Sequence, residues 1–214
     1  MDPGIVQERS HGPVPLSVPV TDQDLSLAFL VILTQLFAGS GSSTSSPTAP
    51  GTAGSTLNVV LTDSPFSDAK ALLVTFSAVN VHLSGGGFVP LPFVGSAASR
   101  TCDLKKLTSA QDVLGTGTLA VGHYTQLRLD IATAAIYFDN PSTGSPCAAT
   151  IPAPAGRNAA ITIPSSELIL NREFDVTSAS ATTITLDFDG DQSVMQTGNG
   201  GYLMTPVISV VGVK

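Results

Sequence analysis

"KALLVTFSAVNVHL", residues 70–83, decides the fold class. Leu72, Val74 and Phe76 recur at period two, as a half-buried strand requires and a helix does not. Past Ser77–Ala78 the apolar set passes to Val79, Val81 and Leu83, with the opposite parity. A one-residue change of phase inside such a run is what a β-bulge produces. "SGGG" at 84–87 then turns the chain into "FVPLP", 88–92, a returning strand that its prolines confine to an edge or mark as ending. The stretch reads as a bulged strand feeding a hairpin.

The same period extends outward. "TLNVVLTD", 56–63, sets Leu57, Val59 and Leu61 against Asn58, Val60 and Thr62. "HYTQLRLDI", 123–131, puts Thr125, Leu127, Leu129 and Ile131 on one side and leaves His123, Tyr124, Gln126, Arg128 and Asp130 outside that row. "AAIYFD", "AAITIP", "SELILN", "FDV", "TTITLDFD" and "YLMTPVISVVGV" supply further short strands, and Asn140–Arg157 reads as a loop rich in Pro, Ser and Ala. Only "DLKKLTSAQDVLG", 103–115, has helical spacing, through Leu104, Leu107 and Val113–Leu114, with Gly115 as its stop. The spacing leaves no room for βαβ units. The expectation is an all-β chain: a single antiparallel β-sandwich, immunoglobulin/prealbumin-like, of eight or nine strands with at most one short helix, over residues 56–214.

Of 214 residues only 12% are charged, and the formal net charge is −7. No Lys or Arg stands between Arg9 and Lys70. Nucleic acid needs a basic stripe to displace counterions, so it is excluded as a partner, and an electrostatic grip on anionic membrane is excluded with it. The Ser, Thr, Ala, Gly and Val that replace charge suit an all-β, extracytoplasmic protein.

The N-terminal part has its own organisation. "LSLAFLVILTQLFA", 25–38, is too short for a bilayer span, which takes about 20 apolar residues, and matches the apolar stretch of an export signal. "AGSGSS" follows with small residues suited to cleavage, but Asp22 and Asp24 stand where a signal carries positive charge. Residues 1–39 are therefore read as an upstream extension plus a degenerate export-signal-like segment at 25–38. "SGSSTSSPTAPGTAGS", 40–55, is a flexible linker. Ser40 occupies the position where a lipoprotein would carry its acylated cysteine, and a hydroxyl in place of the thiol argues against a lipid anchor.

Cys102 and Cys147 have no partners at metal-site spacing. In an oxidising compartment they can pair; the alternative is two buried thiols.

"LDFDGDQS", 186–193, is the strongest chemical candidate. Asp187 and Asp189 share a strand face about 7 Å apart, and Asp191 follows a glycine. Asp63 can join them if the first and penultimate strands are neighbours. Calcium takes six to eight hard oxygen ligands, so these four carboxylates are a candidate Ca²⁺ set, although the spacing is not that of an EF-hand. The plainer role is turn capping. "QTGNGGYLMTP", 196–206, reads as a turn needing positive φ at Gly198, Gly200 and Gly201. It carries the ligand-binding candidates Tyr202 and Asn199; Tyr202 is either a sugar-stacking surface or a core residue. For catalysis the chain offers little: His82 and His123, no Gly-x-Ser-x-Gly, and a Glu167/Glu173 pair with no Trp to serve as a saccharide platform.

"LNVVLTDSP", "VTFSAVNVHLSGGGFVPL", "GTLAVGHYTQLRLDI" and "LDFDGDQSVMQTGNGGYLMTPVISV" occur in that order. Together, over about residues 55–211, they resemble a family of exported prokaryotic domains catalogued as domain of unknown function 4382. The resemblance implies a β-sandwich and an extracytoplasmic location, since in that family the domain commonly follows a lipoprotein signal and a Ser/Gly linker. It implies no reaction. The functional expectation is a non-catalytic cell-surface or secreted module for binding or adhesion, candidate metal stabilisation included, with an unknown surface ligand or protein as partner. The alternative is a structural subunit of an extracellular assembly that self-associates, residues 25–38 packing against a neighbour.

Overall fold

The structure, a computed structural model, describes residues 53–64 and 69–214. The extension, the apolar segment at 25–38, Ser40 and the linker through residue 52 lie outside the described residues. In chain order, β1 (Gly54–Ser64), β2 (Ala71–Leu83), β3 (Phe88–Pro90) and β4 (Arg100–Asp103) precede one helical turn, α1 (Leu104–Leu107). β5 (Asp112–Ala120), β6 (Gly122–Tyr137), β7 (Cys147–Ala148), β8 (Asn158–Thr162), β9 (Glu167–Val176) and β10 (Thr182–Asp189) follow. A second turn, α2 (Gly190–Ser193), leads into β11 (Val194–Gln196), β12 (Tyr202–Met204) and β13 (Ile208–Val213). Among the described residues no helix is long and apolar enough to cross a membrane.

The strands form two sheets, β13-β10-β1-β5 and β11-β12-β8-β6-β2-β4-β7. In the larger sheet β2 and β6 are the long central pair, and each shares its outer edge between two short neighbours: β4 and β3 along β2, β8 and β9 along β6. The all-β expectation holds, with two corrections. The sheets are mixed rather than antiparallel, because β1 runs parallel to β10 and β12 parallel to β8. There are also thirteen strands and two four-residue helices among the described residues, not eight or nine strands and at most one helix.

The phase switch in residues 70–83 is a bulge as read: the β2–β6 register shifts between Phe76 and Ala78. On either side of it Leu72, Val74, Phe76, Val79 and Val81 all reach the core. They meet Leu57, Val59 and Leu61 of β1 and Ile184, Leu186 and Phe188 of β10 in one cluster shared by both sheets. Burying such side chains is worth about 1.5–3 kcal/mol each, so parity here decides stability. The outer face of the larger sheet carries a second, small cluster of Ala71, Leu73, Tyr137 and Ile151, covered by the loop that holds β7.

Two local expectations change. The helix expected over 103–115 ends after one turn; Asp103 caps it by accepting from Lys105 N at 3.1 Å, and Leu104 and Leu107 are fully buried. Gly115 stops no helix. It lies inside β5, where a Cβ would meet Leu91 and the Pro92 carbonyl at 3.2 Å, so the close approach of that segment requires glycine. In β6 a second bulge at Thr125 shifts the register between Tyr124 and Gln126. Tyr124, expected outside the apolar row, is therefore fully buried, its ring stacked on Phe174 at 5.3 Å and its hydroxyl donating to Ala120 O at 2.9 Å.

Candidate functional site

The first and penultimate long strands are neighbours, which meets the condition for Asp63 to join the acidic turn. The register nevertheless separates the carboxylates. Asp63 is paired with Phe188, and Thr62 with Asp187. Side chains alternate between faces, so Asp63 enters the core in the row of Leu61 and Phe188, whereas Asp187 and Asp189 leave by the opposite face. Asp189 caps α2, accepting from Gln192 N at 3.0 Å and from the Gln192 amide. Asp191 is exposed in the turn. Among the described residues no three His, Cys, Asp or Glu side chains are placed to hold a metal ion.

Asp63 is the most perturbed group of this corner. It is 5% exposed; its Oδ1 accepts from Gly190 N at 3.0 Å, and its Oδ2 is buried without a hydrogen-bond partner. Burial drives its pKa up to about 8; the Gly190 N–H bond opposes this, the fields of Asp187 and Asp189 add to it, and Lys105 opposes it again. The corner is otherwise a turn-capping network, in which Ser193 Oγ donates to Asp189 O and accepts from Val207 N.

Tyr202 and Asn199 line one concavity of about 260 Å³ together with Thr162, Thr197 and Leu203. The Tyr202 ring lies 5.7 Å from Phe138. Asn199 Oδ1 is taken up by its own turn, accepting from Thr197 Oγ1 and from Gly201 N. Of the three glycines expected at positive φ, Gly200 alone adopts it, at 81°.

Cys102 and Cys147 are disulfide-bonded and sit directly opposite each other between β4 and β7. Beside them Arg100, 8% exposed, bonds Asp112 Oδ1 at 2.9 Å, and Asp112 Oδ2 accepts from Cys147 N at 3.1 Å. Asp103, fully buried, accepts from Leu72 N and Ser142 Oγ. The sequence gives these two acids no distinguishing signal.

The catalytic candidates do not converge. Glu167 and Glu173 are six residues apart on β9, about 20 Å at strand rise, whereas paired glycosidase carboxylates stand about 5–9.5 Å apart. Glu167 pairs with Arg128. His123 opens β6 and faces Asp175 at 2.8 Å and Glu173 at 4.0 Å.

One further surface emerges from the register alone. Beyond the part of the larger sheet's outer face that the β7 loop covers, β3, β2, β6 and β9 lie side by side, with Phe88, Ile169 and Asn171 exposed. Phe88, His82, Gln126 and Asn171 form one cross-strand row over β3, β2, β6 and β9. Asn80, Arg128 and Ile169 form the next. Gln126 Nε2 donates to Asn171 Oδ1 at 2.7 Å, and His82 Nδ1 lies 3.1 Å from Thr125 Oγ1. The Arg128 guanidinium sits 3.9 Å over the Phe88 ring, which His82 meets edge-on at 4.9 Å. Phe88 and Ile169 stay 39% and 49% exposed. Sequence reading placed His82, Gln126 and Arg128 outside the apolar rows; it could not assemble them, because the row exists only once strand neighbours and register are known.

These features define an all-β, two-sheet, disulfide-bonded domain. The chain belongs to the family described as domain of unknown function (DUF4382), whose model matches residues 54–206. No curated protein and no solved structure matches it.

Proposed function

We propose that the chain is a non-catalytic, extracytoplasmic binding module that takes its ligand on the open face of β3, β2, β6 and β9. The observation that carries the reading is that a disulfide-held loop covers part of the larger sheet's outer face, while beyond it Phe88, Asn171 and Ile169 stay exposed in cross-strand rows with polar side chains. Side chains locked to one another across strands are pre-organised, which lowers the entropic cost of binding. The disulfide supports an oxidising compartment, and the low charge supports a partner other than nucleic acid.

The test uses the full chain expressed in a bacterial host. Fractionation is expected to recover it outside the cytoplasm with Cys102–Cys147 oxidised. Purified protein is expected to co-sediment with cell-envelope fragments, and Phe88→Ala or Asn171→Ala to reduce that fraction severalfold. Cytoplasmic retention with reduced cysteines, or co-sedimentation indifferent to both substitutions, overturns the reading.

A second reading, a subunit of a surface assembly, draws on the edge strand β13, where Val211 is 58% exposed, and on Val207 just before it, 39% exposed. An unpaired apolar edge is a template for strand addition. It predicts concentration-dependent self-association of the full chain that Val211→Lys abolishes.

A further inference from the structure

With the open face taken as the binding surface, a reading on which the ligand class depends, its chemistry narrows what can bind there. Its central cation is already engaged: Arg128 is held by Glu167 and stacked on Phe88, and Asp130 and Glu167 are register partners beside it. An anionic polymer would meet those carboxylates, and Asp175 beyond them, on a molecule of net charge −7. A protein partner would need a contiguous apolar core to bury; here Phe88 and Ile169 lie in different rows on the two outermost strands, with the His82, Gln126 and Arg128 side chains between them.

What the face does offer is neutral. The Gln126–Asn171 amide pair leaves Gln126 Oε1 and Asn171 Nδ2 outside that hydrogen bond, an acceptor and a donor one strand spacing apart. Asn80 adds a second amide in the next row. The Phe88 ring, steadied by Arg128 on one side, supplies an apolar platform at the end of the first row. A flat strip with an aromatic ring at one end and amides along its length complements a pyranose chain, whose rings carry C–H faces and a rim of hydroxyl groups that both donate and accept. We infer that the β3-β2-β6-β9 face binds a neutral glycan chain, with Phe88 stacking on a sugar ring and the Gln126–Asn171 pair bonding its hydroxyls. The ring is a Phe, so the absence of Trp from the chain does not weigh against this role.

The test is native affinity electrophoresis of the full chain through gels containing a soluble β-glucan, hydroxyethyl cellulose or an α-mannan, with polygalacturonate as the anionic comparison. At least one neutral polymer is expected to retard the protein, with an effect unchanged by roughly 0.5 M salt, since no ion pair is formed. Phe88→Ala and, separately, Asn171→Ala are expected to weaken the apparent Kd about tenfold, roughly one hydrogen bond or ring contact; thermal melts of both variants, run beside the gels, separate lost binding from lost folding. No retardation by any neutral polymer, retardation only by polygalacturonate, or equal retardation of the variants overturns the inference. If the neutral gels fail while Phe88-dependent envelope binding persists, the binding-module reading stands and only the ligand class is wrong.

Discussion

Asp63 and Phe188 are register partners in the parallel β1–β10 pair, and they enter the core on the same face. A carboxyl group thus occupies a place that the strand pattern reserves for an apolar side chain. Its pKa of about 8 in the fold stands well above its value in an unfolded chain, about 3.9. The folded state therefore binds the proton more tightly between those values. Asp63 contributes stability that is fully present below about pH 4 and lost as pH rises through about 8.

Asp63→Asn should remove that dependence while keeping an acceptor oxygen for Gly190 N. Urea midpoints of parent and variant are expected to converge near about pH 4.5 and to separate progressively towards about pH 8.5, with the variant the more stable. Two curves that stay parallel over this range would show that Asp63 titrates normally.

The Cys102–Cys147 bond closes the segment between β4 and β7 and pins the loop over Leu73 and Tyr137. Replacing both cysteines by Ala is expected to cost about 2–4 kcal/mol, or about 5–15 °C in Tm for a domain of this size. A thiol assay in denaturant should find no free cysteine until reductant is added.

Arg100 and Asp112 form an ion pair whose Arg side is largely buried, and Asp112 also bonds the Cys147 backbone. Asp112→Ala strands a buried guanidinium and should cost about 3–5 kcal/mol. Removing both charges together, Arg100→Met with Asp112→Leu, should cost less than Asp112→Ala alone. A double variant at least as damaged as the single one would refute the pairing argument.

Strand parity holds Asp63 away from Asp187 and Asp189, so these residues should not act as a calcium cage. Melts of the full chain in excess CaCl2 and in EDTA are expected to coincide. Saturation at about 100 times Kd would add about 2.7 kcal/mol, a displacement of about 5–10 °C. A shift of that size, lost in Asp189→Asn, would contradict the geometry.

The inner faces of β1 and β10 are legible in the sequence because their apolar residues alternate without a break, and the bulge of β2 at Ser77–Ala78 because the alternation changes parity there. The bulge at Thr125 is not, because the apolar row Leu127, Leu129 and Ile131 begins only after it, and nothing earlier sets a phase for Tyr124 to violate. The β1–β10 pairing leaves no local trace, since it joins opposite ends of the domain without a turn. The short helix fails for a related reason: Val113–Leu114 fit a 3.6-residue period by chance, and contact with β1 takes them into a strand. Among the candidates, Tyr202 and Asn199 do share a concavity, as neighbours across one turn can. The open face needed four strands brought together from separate parts of the chain.

β1 also determines how the domain can come apart. Ala53 is the first described residue; its carbonyl accepts from Val121 N at 3.0 Å, and from Leu57 onward β1 is paired with β5 on one side and β10 on the other. β1 is thus an interior strand. Removing it breaks two ladders at once, the parallel one to β10 and the antiparallel one to β5. An N-terminal strand at a sheet edge would peel away pair by pair. With β1 placed in the interior, the first strand of the domain cannot leave without opening the smaller sheet on both of its sides.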